Sequence, residues 1–176
     1  MLQRMEAALD RLFLDFSIEN LKQRSSEIER CLAKLNDEQI WARGGENENA
    51  TGNLVLHVCG NVSQRTAFIE GKPDVRERDR EFAARTGASV AELTNQLRRT
   101  VDEAVAALGT VSAGMLSQHV RVQDYDQTVL EMIYHMVEHF ALHTGQIIFA
   151  TKAATGEDLA FWRPARSQAA PAQSKV

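Results

Sequence analysis

The sequence predicts an all-α protein. Apolar residues recur at helical spacing in four long stretches, almost no segment alternates with the period of a strand, and helix start and stop signals bracket the stretches. With 176 residues, 44% of them apolar and 25% charged, the chain can bury one core without disulfide or metal staples. One domain is expected over residues 1–162. It is followed by a flexible, disordered tail at 163–176, where Pro164, Pro171 and several Ala, Ser and Gln replace apolar periodicity.

The first helix is expected over about residues 3–35. Met5, Leu9, Leu12, Phe13 and Phe16 mark one stripe, Leu21, Ile28, Leu32 and Leu35 continue it, and the shift between the two predicts a bend near Ser17. The following Gly44-Gly45-Glu46-Asn47-Glu48-Asn49 loop lacks the Lys-Ser/Thr pair and the glycine spacing of a phosphate-binding loop. A second helix over about 52–70 turns Leu54, Val58, Val62, Phe68 and Ile69 inward, with Gly60 open to the close approach of another helix and Gly71 and Pro73 as its stop. In the connection 71–88 the Arg76–Glu81 run alternates in sign, as a solvated face does.

Ser89 and Glu92 form a capping box that starts the third helix; Leu93, Leu97, Val101, Ala104 and Leu108 follow before Gly109 stops it. The next connection, 109–125, is long for a simple up-down bundle. It is expected to cross the bundle end or shape a cavity mouth, with Ser117–Asp124 briefly extended. The fourth helix starts near Asp126 or Gln127 and carries Ile133, Met136, Val137, Phe140, Ile147 and Ile148 to about Lys152. Trp41, Phe161 and Trp162 are expected in core packing.

A net charge of −4 and a pI near 5.7, with basic residues scattered among acids, argue against a nucleic-acid partner. Arg4, Glu6, Asp10, Arg11 and Asp15 interrupt the apolar residues of Met1–Phe16, so neither a signal peptide nor a membrane segment is expected there. Cys31 and Cys59 fit no disulfide framework or zinc-finger spacing. They read as free thiols of a cytoplasmic protein.

The chemistry lies in the segment Tyr134–Gln146, where His135, His139 and His143 are spaced four apart. Residues four apart on a helix sit one turn on and about 40° round, so neighbours in this row share a face and two can hold one metal ion. Spacing leaves both His135/His139 and His139/His143 open as the pair. A metal site with an open position needs at least three protein ligands. His57, beside Leu54 and Val58, is placed to point inward from the second helix; His119, among polar residues, is expected at the surface. Alone, His57 reads as a hydrogen-bonded core histidine. Together with a histidine row on a face built of Ile, Val, Met and Phe it favours a three-histidine site, since a shared metal satisfies imidazoles that would otherwise lack partners. Asn61, one turn after His57, and Glu131, two turns before His139, are candidates to support the ligands. A solvated side chain is the plainer reading of Glu131. The Glu-x-x-His pattern of di-iron bundles and the His-Glu-x-x-His zincin motif are both absent.

Gly52-Asn53-Leu54-Val55-Leu56-His57, with His135-Met136-Val137-Glu138-His139-Phe140-Ala141-Leu142-His143-Thr144-Gly145-Gln146, resembles the DinB-like superfamily, also called the YfiT-like metal-dependent hydrolases. The similarity spans about Leu9 to Arg163, and His-Thr-Gly-Gln is its most specific piece. The resemblance implies a four-helix bundle with up-down-down-up connection, often a homodimer. It also implies a divalent metal, zinc or nickel foremost with iron or copper open, held by His57, His139 and His143, with His135 as a neighbour. Some relatives resemble transferases that use a low-molecular-weight thiol. The resemblance thus leads to a metal-dependent S-transferase acting on a small electrophile, whose pocket lies between the fourth helix and the loops 44–50 and 109–125. A metallohydrolase of a small amide or ester, and a non-catalytic dimeric metal-binding bundle, are the other two readings.

Overall fold

The computed structural model describes residues 2–122 and 124–161, with side chains from Leu9 onward. Trp162 and the tail 163–176 expected to be flexible lie outside the described residues, as does the Met5 side chain. In chain order the elements are α1 (Leu2–Leu32), a 3-10 turn (Gln39–Trp41), α2 (Thr51–Ile69), α3 (Arg78–Ala83), α4 (Val90–Thr110), α5 (Ala113–Leu116), β1 (His119–Val122), β2 (Tyr125–Thr128) and α6 (Val129–Thr155). The protein is therefore mostly helical, with one antiparallel two-stranded hairpin. No helix among the described residues is long and apolar enough to cross a membrane.

Four long helices share the core: α1 packs on α4 and α6, and α2 packs on the same two. Contacts at one end fix their relative directions. Val90 N, at the start of α4, donates to Asp37 Oδ1 beyond the end of α1 at 2.7 Å, and Arg98 pairs with Glu29 at 2.6 Å. The end of α6 meets the end of α1, where Arg30 donates to the Leu159 carbonyl at 3.0 Å and Lys34 pairs with Glu157 at 2.6 Å. The α4 start is the expected capping box: Ser89 Oγ accepts from Glu92 N at 3.2 Å and Glu92 Oε2 accepts from Ser89 N at 2.8 Å.

The second half of the expected stripe, Leu21, Ile28, Leu32 and Leu35, is buried, and the first half turns the other way. Leu14, Leu21, Ile28 and Leu35 are buried, each seven residues from the next, whereas Leu9, Leu12 and Phe16 are 64%, 64% and 67% exposed. The two sets lie about 140° apart around a helix, so only one can face the neighbours. No break occurs at Ser17, which is buried with its hydroxyl donating to the Phe13 carbonyl at 2.7 Å within the continuous helix.

α2 is buried round most of its circumference, because α3 and its flanking loops cover a face that α4 and α6 leave open. Asn53, fully buried, ties this cover down: its Nδ2 donates to the carbonyls of Glu81 and Ala84 at 2.8 and 2.9 Å, while Oδ1 accepts from Ala50 N at 3.1 Å and Arg43 Nη2 at 2.5 Å. Trp41 packs its ring on Gly52 and donates from its indole nitrogen to the Ala88 carbonyl at 2.8 Å.

The stretch expected to be briefly extended is half of the hairpin, with His119 opposite Thr128 and Val122 opposite Tyr125. Its second strand takes residues that periodicity assigned to the last helix. The reason is local: Thr128 stays extended (φ −73°, ψ 158°) and caps α6, its Oγ1 accepting from Glu131 N at 3.2 Å while Glu131 Oε2 accepts from Thr128 N at 2.7 Å. Removing this cap by Thr128→Ala should lower stability by about 1 kcal/mol, measured as a shift in the urea midpoint at unchanged slope.

Candidate metal centre

Helices α2 and α6 bring three imidazoles to one point. His57 Nε2 lies 3.2 Å from His139 Nε2, and His143 Nε2 lies 3.2 Å from the same atom. One ligand atom from each of the three falls within 4.8 Å of the others, a group that could hold a metal ion. Nitrogens bound tetrahedrally at zinc distances would be separated by about 3.3 Å, which the two separations at His139 match.

Hydrogen bonds at the far side of two rings set their tautomers. His57 Nδ1 lies 2.8 Å from Glu81 Oε2 and 3.1 Å from Arg76 Nη2; the shorter contact, to an anion, places the proton on Nδ1. His143 Nδ1 lies 2.7 Å from Gln146 Oε1, an acceptor, with the same consequence. Both Nε2 lone pairs therefore point at His139 Nε2, which can donate to at most one of them. His139 Nδ1 is buried and has no partner among the described residues. Among the described residues the cluster leaves at least one inward lone pair without a donor, and a metal ion can accept all three together.

Burial first, then the neighbouring His143 and His57, hold the His139 imidazole down to about 3. Burial also lowers His143, against its Gln146 bond, and lowers His135. Neutral rings are the form that ligates.

Glu81 is the functional residue that sequence reading missed. Placed with Arg76 on an expected solvated face, it is instead only 10% exposed and Arg76 only 7%. Arg76 grips both carboxylate oxygens at 2.8 Å through Nε and Nη2. Burial would raise the Glu81 carboxyl, but the bonds from Arg76 and His57 outweigh it and hold it below its usual range. Gly60 admits this pair: a Cβ there would stand 2.9 Å from the Glu81 carboxyl carbon and 3.2 Å from Arg76 Nε. Where the sequence predicted the close approach of another helix at Gly60, the space is taken by the side chains of an ion pair. The one sequence signal for Glu81 was a carboxylate inside a strongly charged connection, which exposed segments share.

Of the supporting residues expected, Asn61 is 4% exposed and one turn from His57, with its Oδ1 unpartnered among the described residues. His135 stacks near His139, ring centroids 5.6 Å apart, and does not join the three-nitrogen group. Glu131 is engaged in the α6 cap instead. His119 is at the surface, 3.1 Å from Asp126. Cys31 and Cys59 are free and buried, and burial pushes the Cys59 thiol up to about 12, too high for an active nucleophile.

A cavity of about 430 Å³ opens onto His57 and His139, with Val122, Tyr125 and Gln127 of the hairpin at its mouth. The 109–125 connection thus does shape a cavity. The 44–50 loop does not border it: Gly44, Glu48 and Asn49 line a separate cavity of about 880 Å³ that touches the histidine cluster only through Gln146.

Two outcomes follow. Gly60→Ala should destabilise the protein by about 1–3 kcal/mol in chemical unfolding, although the added helix propensity alone would stabilise it; a net gain would mean Glu81 has room to move. In metal-free protein the lowered histidine values mean that the unfolded chain binds more protons, so stability should fall as pH drops below the usual histidine range toward about 3. His139→Phe should flatten that fall, read from melting temperatures between neutral and mildly acidic pH.

No curated protein matches the sequence. A solved structure, that of a conserved protein from Enterococcus faecalis, aligns with a TM-score of 0.72 at 13% identity, covering 81% of this chain and 97% of that one, a likeness of fold. Residues 8–166 match the family model described as a protein of unknown function, DUF1572, and the chain belongs to that family.

Proposed function

We propose that His57, His139 and His143 hold one divalent metal and that the protein is a metal-dependent enzyme acting on a small molecule in the adjoining cavity. The observation that carries this reading is the convergence of Nε2 lone pairs whose tautomers Glu81 and Gln146 set. A divalent ion there would supply Lewis acidity, favouring the ionised form of a thiol or water near neutral pH. Glu81 and Gln146 orient the rings, and Phe82, with its ring 4.6 Å from His57, shields that imidazole. Zinc or nickel suits three neutral imidazoles; iron and copper also accept them.

The resemblance to the DinB-like superfamily leads us to read the reaction as transfer of a low-molecular-weight thiol to an electrophile. The same resemblance, with the helix contacts above, supports a four-helix bundle connected up-down-down-up. It also supports a cytoplasmic homodimer, whose covered face would draw on exposed apolar side chains such as Leu12, Phe16 and Tyr134.

Elemental analysis of tag-free protein should give about one divalent ion per chain, lost in His57→Ala and His139→Ala and weakened about 10–100-fold in Glu81→Gln. Wild type that neither carries nor takes up zinc or nickel overturns the metal reading. Metal-dependent conjugation of a model electrophile by cellular thiols supports the transferase. Ester hydrolysis that needs no thiol and stops with a chelator would replace it with a hydrolase. A metal that raises only the melting temperature would leave a non-catalytic binding bundle.

A further inference from the structure

Arg65 is 7% exposed, and among the described residues no carboxylate pairs with it. Its Nη1 reaches only the Asn61 carbonyl, at 3.3 Å, and its buried Nε has no partner. A buried guanidinium is costly unless an anion or a full set of acceptors faces it. The contrast with Arg76, whose side chain grips Glu81, is local and direct.

Arg65 borders the 430 Å³ cavity on His57 and His139. Arg78, exposed and stacked over Phe82 at 5.1 Å, and Arg76 line it too, and no Asp or Glu does. The Arg76 charge is met by Glu81, which leaves Arg65 and Arg78 uncompensated. Asn61 borders the same cavity, and its buried Oδ1 has no partner among the described residues.

We infer that this cavity takes a small anion, with a carboxylate or phosphate-type group seated on Arg65 and Arg78 and the rest of the molecule extending toward His57 and His139. The inference rests on the metal-centre reading only for where the reacting part of the ligand lies. The anion seat itself follows from the unpaired guanidinium.

The test is calorimetric titration at constant ionic strength in chloride, with acetate and methylphosphonate as probes, on metal-free and cobalt-loaded protein. Wild type should bind at least one probe saturably, and whichever binds more tightly identifies the anion type. Arg65→Gln should weaken binding about tenfold or more, and Arg98→Gln, at the surface pair with Glu29, should leave it unchanged. Should Arg65→Gln not fold, Arg78→Gln at the exposed mouth decides, and an unchanged affinity there overturns the proposal. No binding of either probe to wild type, or equal binding by Arg65→Gln, also overturns it. The cobalt absorption separates the two readings. Arg65-dependent binding without cobalt uptake keeps the anion seat and removes the metal centre. Cobalt uptake without anion binding does the reverse.

Discussion

The Glu81 carboxylate, held between the Arg76 guanidinium and the His57 imidazole, is the contact on which the site depends. It is a buried ion pair, and such pairs persist only where the geometry and the remaining hydrogen bonds offset the loss of water. Here the offset is structural. Asn53 holds the backbone of α3 through two carbonyls, Gly60 leaves the space a side chain would fill, and Arg76 occupies both carboxylate oxygens. The orientation of His57 is thus set by a short helix that carries no buried residue of its own hydrophobic kind.

The charge balance around the cluster is lopsided. Glu81 answers Arg76, and burial is the main cause that lowers His135, His139 and His143, while Arg65 pushes His135 and His139 further the same way. A cation added at the three nitrogens would make the cavity more positive still, so a metal and an anionic ligand would each favour the presence of the other. His139 is the asymmetric member: its two neighbours have acceptors behind them, and its own Nδ1 has none.

Helix α4 and the row His135-His139-His143 were legible in the sequence because they are local: a capping box, an apolar stripe and a four-residue repeat each act within one helix. The inward direction of His57 was legible for the same reason, from Leu54 and Val58 beside it. The buried face of the first half of α1 was not. Leu9, Leu12 and Phe16 form a stripe as regular as Leu14, Leu21 and Ile28, and periodicity cannot rank two apolar faces of one helix. Nor could it see that Thr128 would hold an extended conformation and end a strand where helical spacing had already begun.

By itself, then, the sequence determined the helical architecture, the stretch that holds the histidine row and the absence of a nucleic-acid-like charge pattern, all consequences of composition and of periods shorter than a few turns. Only the tertiary structure decided that His57 meets His139 and His143, that Glu81 stands behind one ring and Gln146 behind another, and that Arg65 has no counter-charge among the described residues. Those facts depend on which surfaces of α2, α3 and α6 meet. His57 and His139 are 82 positions apart in the chain, and a contact at that separation leaves no local pattern to read.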